Sequence, residues 1–198
     1  LTGYEPALAK SLATTVNDKR LDVFQSFSDK HRIAICVGIP TIVHTGINIT
    51  MIVFQPGIAR ETYCKQYLHA DEEPFFVSGR GSIGFLAGKQ IALSICYELS
   101  VPAHAAHAHK QGASIYLSSV AKTPSGMDKA ITTLSQTATS YNMAILLSNC
   151  VGMADGELCG GRSFAMNKQG TILAQLDEHH EGIILLDTAA GSANVMQW

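Results

Sequence analysis

Ile91-Ala92-Leu93-Ser94-Ile95-Cys96-Tyr97-Glu98-Leu99-Ser100 is the stretch on which the reading of the fold turns. The run from Ile91 to Ile95 is apolar and strand-sized, and a helical pattern starts at Ser100. Cys96 stands where the one stops and the other begins. A cysteine at such a turn is held rigidly, with its sulfur near helix N–H dipoles that favour the nucleophilic thiolate. The plain alternative is a buried cysteine used as a small hydrophobe, and position alone leaves both open.

Outward from this turn, strands and helices alternate. Ala113 to Ser118 and Met143 to Asn149 read as strands, with a helix from Gly126 to Tyr141 between them. Ser100 to Gln111 reads as a helix, with Ser100 as N-cap and Pro102 in the first turn. Gly84 to Leu86 and Gln90 to Cys96 read as a hairpin around Ala87-Gly88. Upstream, helices are expected over Pro6 to Val16 and Asp18 to Lys30, then strands over Ile33 to Ile39, Ile47 to Phe54 and Thr62 to Leu68. Gln55-Pro56-Gly57 marks a turn. Short strands near Ser163 to Asn167, Thr171 to Gln175 and Gly182 to Asp187 complete the pattern. This is an α/β chain whose near-continuous apolar strands call for cover on both faces.

The 198 residues suit one domain, with 46% hydrophobic and 15% charged residues, enough to bury a sizeable core. A net charge of −2 without a basic run argues against nucleic acid as a partner. The apolar stretches are too short for a helical membrane span, and no signal segment opens the sequence. The five cysteines, Cys36, Cys64, Cys96, Cys150 and Cys159, are odd in number and scattered through apolar stretches. They read as reduced thiols of a cytoplasmic protein, with Cys36 and Cys150 inside strands and Cys64 inside or beside one.

Other chemical candidates lie upstream of the turn. Lys65 is the one charge in Tyr63-Cys64-Lys65-Gln66-Tyr67-Leu68. Pointed into a pocket it would stabilise an oxyanion; pointed outward it is an ordinary solvated lysine. Glu72 and Glu73 follow closely, able to orient Lys65 or move protons, or simply solvated in a loop. Three signals carry less. Gly79-Arg80-Gly81-Ser82-Ile83-Gly84 lacks the strand before and helix after that a dinucleotide loop requires. His104 and His107 share a helix face without a third ligand, so no metal is expected. Gly160-Gly161-Arg162-Ser163 reads as a turn into a strand rather than a phosphate cradle.

Together these segments resemble the nitrilase, or carbon–nitrogen hydrolase, superfamily. The resemblance rests on Leu1-Thr2-Gly3-Tyr4-Glu5-Pro6, on the lysine segment 63–68 with Glu72 and Phe75-Phe76, and on Leu93 to Leu99. It also rests on Ser148-Asn149-Cys150-Val151-Gly152, Gly160-Gly161-Arg162-Ser163 and Asn167-Lys168-Gln169-Gly170. It implies a single domain with a nitrilase-like αββα sandwich, four-layered when subunits pair, and hence a homodimer or higher homo-oligomer. It implies hydrolysis of a non-peptide carbon–nitrogen bond, most naturally a linear amide, with a nitrile as the other small-molecule substrate class and no cofactor. In that scheme Cys96 attacks, Lys65 and the Tyr97 backbone N–H hold the oxyanion, and Glu72 supports Lys65, Glu73 fitting less well by one position. The glutamate base of the Glu–Lys–Cys triad is expected just before Leu1. The family's first strand, first helix and second strand are likewise expected upstream, and Glu5 is a poor substitute for the base. Two other outcomes stay open: an inactive relative serving as a binding subunit, and a cysteine-dependent acyltransferase.

Overall fold

β-Branched and aromatic runs separated by tight turns build the first part of the chain. The computed structural model describes residues 1–81, 84–86 and 90–197. They fall into two compact units, Leu1–Gly84 and Phe85–Trp198.

In the first unit a 3-10 turn over Pro6–Leu8 runs into a single helical turn, α1 (Ala9–Leu12). The expected helix to Val16 stops here because Ala13 is already extended, and Thr14 pairs with Thr41 instead. The β-branched Thr14, Thr15 and Val16 favour that extended course. Asp18 caps the next 3-10 turn, accepting the Arg20 N–H, and α2 (Asp22–His31) follows. The helix ends at Arg32 in the left-handed region, φ 54°.

A meander follows: β1 (Ile35–Val43), β2 (Gly46–Gln55) and β3 (Ile58–Cys64), each antiparallel to the one before. β1 runs four residues beyond the expected Ile39, through Pro40, which an edge strand tolerates. The third strand comes earlier than the expected Thr62 to Leu68, because Gly57 (φ 68°) turns the chain at once. Lys65 therefore sits just past the strand end rather than within it. Leu21, Ile39, Ile52 and Phe54 form this unit's buried cluster, with Val16, Phe24, Ile35 and Val37 against it.

The second unit is a mixed six-stranded sheet. β4 (Phe85–Leu86) and β5 (Ile91–Ile95) pair antiparallel, as the expected hairpin requires; its Ala87-Gly88 turn lies outside the described residues, as do Ser82 and Ile83 of the glycine-rich stretch. A 3-10 turn (Cys96–Ser100) leads to α3 (Pro102–Lys110), then β6 (Ile115–Val120), α4 (Pro124–Tyr141) and β7 (Ala144–Asn149). β5, β6 and β7 are parallel neighbours, and α3 and α4 are the crossovers that parallel pairing requires. The expected cap is corrected: Ser100 belongs to the 3-10 turn, Val101 precedes the helix, and Pro102 takes its first position. Pro102 fits because the first helical N–H has no intrahelical acceptor to lose.

α4 is capped by Thr123, whose hydroxyl accepts the Gly126 N–H at 3.3 Å, and ends at Asn142 with φ 51°. Its buried Met127, Ala130, Leu134, Thr137 and Ala138 recur at helical spacing. Each large apolar side chain among them contributes about 1.5–3 kcal/mol by burial.

A hairpin the sequence reading did not foresee follows, β8 (Val151–Ala154) and β9 (Glu157–Gly160). Cys150 stands between β7 and β8, not inside a strand as expected. β10 (Phe164–Met166) and β11 (Ile172–Gln175) extend the sheet to the order β11-β10-β7-β6-β5-β4. β12 (Gly182–Asp187) and β13 (Ser192–Gln197) form a separate antiparallel pair, of which only the first was foreseen. Among the described residues no helix is long and apolar enough to cross a membrane.

Candidate active site

Two groups of side chains stand out, one in each unit. In the first, Lys65 follows β3 directly, and its backbone is held on both sides. Its N–H donates to the Ile49 carbonyl at 2.9 Å, and its carbonyl accepts the Gly79 N–H at 2.7 Å. The approach of Gly79 is so close that a Cβ there would lie 2.4 Å from the Cys64 carbonyl oxygen. Only glycine fits.

The Lys65 side chain is fully buried and ends on a carboxylate. Nζ lies 2.6 Å from both Oε1 and Oε2 of Glu72. Glu72 is itself 1% exposed and accepts two further hydrogen bonds, from the Tyr4 hydroxyl at 3.0 Å and the His69 N–H at 2.7 Å. Its backbone is fixed by the turn it occupies: its N–H donates to the His69 carbonyl, and its carbonyl accepts from Phe75 and Phe76. Burying two ions is costly unless they are paired and hydrogen-bonded, and here both conditions hold. Of the two adjacent acids, Glu72 is drawn inside while Glu73 is exposed. The surface-lysine reading of Lys65 is thereby ruled out.

In the second unit, Cys96 takes the left-handed region with φ 47°, at the end of β5 and the start of the 3-10 turn. That conformation costs a non-glycine residue about 1–2 kcal/mol and is maintained by its surroundings. The thiol is half-buried, at the carboxyl end of a parallel strand, where open α/β sheets place their ligand sites. A rigid elbow presenting a sulfur is what covalent catalysis requires. Tyr97 follows at once and is 37% exposed.

Beneath the elbow lies a buried polar chain that sequence reasoning missed. Glu98 Oε2 accepts the Ile95 N–H at 2.8 Å. His104 Nε2 lies 3.6 Å from the same oxygen, and His104 Nδ1 is 2.7 Å from the Tyr116 hydroxyl. Burial, helped by His107, lowers His104 to about 4, so its ring is neutral at physiological pH. Burial raises the Tyr116 phenol well above its ordinary value, although a Ser94 hydrogen bond opposes the shift. Ser94 and Ser118 hydroxyls share a hydrogen bond of 2.8 Å. His104, expected to be a weak metal candidate with His107, is thus engaged with Tyr116 and Glu98. Among the described residues no cluster of three or more His, Cys, Asp or Glu is arranged to hold a metal.

Two further thiols have shifted acidity. Cys159 is pushed up to about 12, first by burial and then by its contact with Cys150, with Cys96 also contributing. Cys36, in β1, is raised to about 11 by burial. The turn at Gly161 (φ 51°) and Arg162 (φ 57°) leads into β10, as the sequence indicated. A pocket of about 240 Å³ beside it is lined by Asn149, Cys150, Arg162, Asp177 and His180 among others.

A family model described as carbon–nitrogen hydrolase matches residues 1–194. The fold is similar to an amidase of the nitrilase superfamily from Nesterenkonia AN1. The TM-score is 0.76 at 20% identity, over 89% of this chain and 71% of that one. It is also similar to a carbon–nitrogen hydrolase superfamily protein from Xanthomonas campestris that carries an arsenic adduct in its active site. There the TM-score is 0.78 at 14% identity, over 98% and 73% of the chains. A carbon–nitrogen hydrolase from Helicobacter pylori matches with a TM-score of 0.70 at 17% identity, over 84% and 69%. No curated protein matches the sequence significantly. The mixed α/β fold is that of these nitrilase-superfamily structures.

Proposed function

The chain belongs to the carbon–nitrogen hydrolase family, and from that premise we propose that it hydrolyses a linear amide through a thioester on Cys96. The observation that carries this reading is the left-handed elbow at Cys96, closing a parallel strand with a half-buried thiol.

In the proposed reaction a glutamate outside residues 1–198 takes the thiol proton. The sulfur attacks the amide carbon, and the carbonyl oxygen gains the negative charge. Lys65 and the Tyr97 N–H stabilise that oxyanion, the lysine acting as a fixed cation because Glu72 grips it at 2.6 Å. Glu72 is the supporting carboxylate of the Glu–Lys–Cys arrangement. The base returns the proton to the leaving nitrogen, the C–N bond breaks, and water hydrolyses the thioester, regenerating the thiol.

Support for the amide over other acyl substrates comes from the Nesterenkonia neighbour, which is itself an amidase. We extend the reading to a cytoplasmic homo-oligomer made of single-domain subunits, in keeping with five free thiols and with Ile183, Leu185 and Met196 exposed on β12 and β13.

The test is ammonia release from a panel of small amides, nitriles and carbamoyl amino acids. Intact-mass measurement of the protein quenched in turnover is its companion. Release together with an acyl mass on Cys96, both lost in Cys96→Ala, is the expected result. Amine-dependent acyl transfer without release would indicate an acyltransferase. Amide binding with neither release nor adduct would indicate a binding subunit.

A further inference from the structure

We propose that His104 is a positioning residue for the nucleophile elbow, acting through a buried, directional chain from Tyr116 to Glu98 that fixes the Ile95 N–H one residue before Cys96. The inference rests on the reading of Cys96 as nucleophile, and it concerns what keeps that thiol in place.

The geometry favours one direction for the chain. Glu98 Oε2 accepts the Ile95 N–H, so it presents lone pairs to its surroundings. His104 Nε2 faces that oxygen at 3.6 Å. An ionised Glu98 carboxylate at that distance favours a hydrogen on the facing nitrogen, so we take Nε2–H as the tautomer. The ring is neutral and holds only one such hydrogen, so Nδ1 is bare. The Tyr116 hydroxyl at 2.7 Å must then donate to Nδ1. Next to this group the Ser94 and Ser118 hydroxyls share a hydrogen bond of 2.8 Å.

Every member is buried: Ser94, Glu98, Tyr116 and Ser118 are at 0% exposure and His104 at 1%. In so dry a setting a partner lost is not replaced by water. The chain ties α3, through His104, to β6, through Tyr116, and both to the last residue of β5. Cys96 at φ 47° is a strained residue whose conformation must be imposed from outside, and this clamp is attached to its neighbour.

The experiment compares the unaltered protein with His104→Leu, His104→Gln and Tyr116→Phe. Nitrogen-15 NMR of the histidine rings reads the tautomer, and amide hydrogen exchange reads the clamp. At pH 7 the His104 ring is expected as the neutral Nε2–H form, and in Tyr116→Phe as a mixture of the two neutral tautomers. In His104→Leu, Ile95 exchange rises by at least about tenfold while Leu93 stays within about twofold, because opening is local. His104→Gln keeps a donor facing Glu98 and holds Ile95 within about threefold of the unaltered protein.

On an amide that is turned over, His104→Leu lowers kcat by about tenfold or more with KM little changed, as expected for an effect on the chemical step. If His104→Leu does not fold, Tyr116→Phe, which removes one oxygen, carries the exchange measurement, with a rise of at least about threefold. An Nδ1–H or charged ring at pH 7 would overturn the proposal. So would Ile95 exchange within about twofold of normal in the folded variants, or a KM effect at constant kcat. Exchange and tautomer are read without substrate, so a failure to release ammonia would overturn the hydrolase reading alone.

Discussion

Lys65 and Glu72 form a bidentate ion pair at 2.6 Å with side-chain exposures of 0% and 2%. A pair so deeply buried is strongly asymmetric in its energetics. Removing one partner leaves a charge in a dry site, which costs more than the intact pair contributes. Lys65→Met is therefore expected to lose about 3–5 kcal/mol of stability in urea unfolding. The double variant Lys65→Met/Glu72→Leu should recover part of that loss. A single-variant cost under about 1 kcal/mol would mean that the site is wetter than its burial indicates.

Gly79 sets the backbone around that lysine. A Cβ there would lie 2.4 Å from the Cys64 carbonyl oxygen, a backbone atom that cannot step aside. Gly79→Ala is expected to cost about 2 kcal/mol or more, within the range for strain at a constrained backbone position. Thermal unfolding checks it; a neutral substitution would show that segment 77–79 is free to shift.

The strain at Cys96 can be read separately from its chemistry. Cys96→Ala and Cys96→Gly both remove the thiol, so neither should release ammonia. Glycine ordinarily costs stability relative to alanine, but at φ 47° the order reverses. Cys96→Gly should be the more stable of the two by about 1 kcal/mol. Equal stabilities, or alanine ahead, would show that the elbow at Cys96 is not strained.

His104 makes stability depend on pH in a definite window. Its ring titrates near 6.5 when unfolded and near 4 when folded, because burial opposes the charge. Above the unfolded value both states are neutral and nothing is lost. Between 6.5 and 4 the unfolded chain takes up a proton that the folded chain refuses, so stability falls as pH falls. The full loss is about 3 kcal/mol. Its signature is a shallower decline from pH 6.5 to 4 in His104→Gln, seen in denaturant midpoints. Parallel curves for the two proteins would contradict it.

Thiol labelling should sort the cysteines. Burial raises Cys36 to about 11 and Cys159 to about 12. At pH 8 no more than about one in a thousand of either is thiolate, the form that reacts. Both should be modified slowly by iodoacetamide in mass-spectrometric mapping of the folded protein and normally after denaturation. Rapid labelling of Cys159 while the protein stays folded would show the β8–β9 hairpin opening.

Much of this was legible residue by residue. The run Ile91 to Ile95 read as a strand and is β5; Gly126 to Tyr141 read as a helix and lies within α4. Both rest on local periodicity, which the chain carries wherever it folds. The misses share a cause too. β8, β9 and β13 are short strands with no sustained alternation, set by pairing with a partner strand rather than by their own pattern. The helix expected through Val16 lost to a long-range bridge between Thr14 and Thr41, which no local window can see.

The candidate site divides in the same way. Cys96 stood out at the end of an apolar run and Lys65 as the one charge in its segment, while Glu72 was singled out by its closeness to Lys65 and by an order that resembles a known family. Taken alone, the sequence determined the α/β class, the strand-to-turn placement of Cys96 and the charges available upstream. Only the tertiary structure decided that Glu72 rather than Glu73 holds Lys65, and that His104 belongs to a buried chain with Tyr116 and Glu98. Side-chain identity is local and can be read in order along the chain. Burial is collective: whether a charge is solvated, paired or shifted depends on which distant segments close over it, and that is fixed only when the chain has folded.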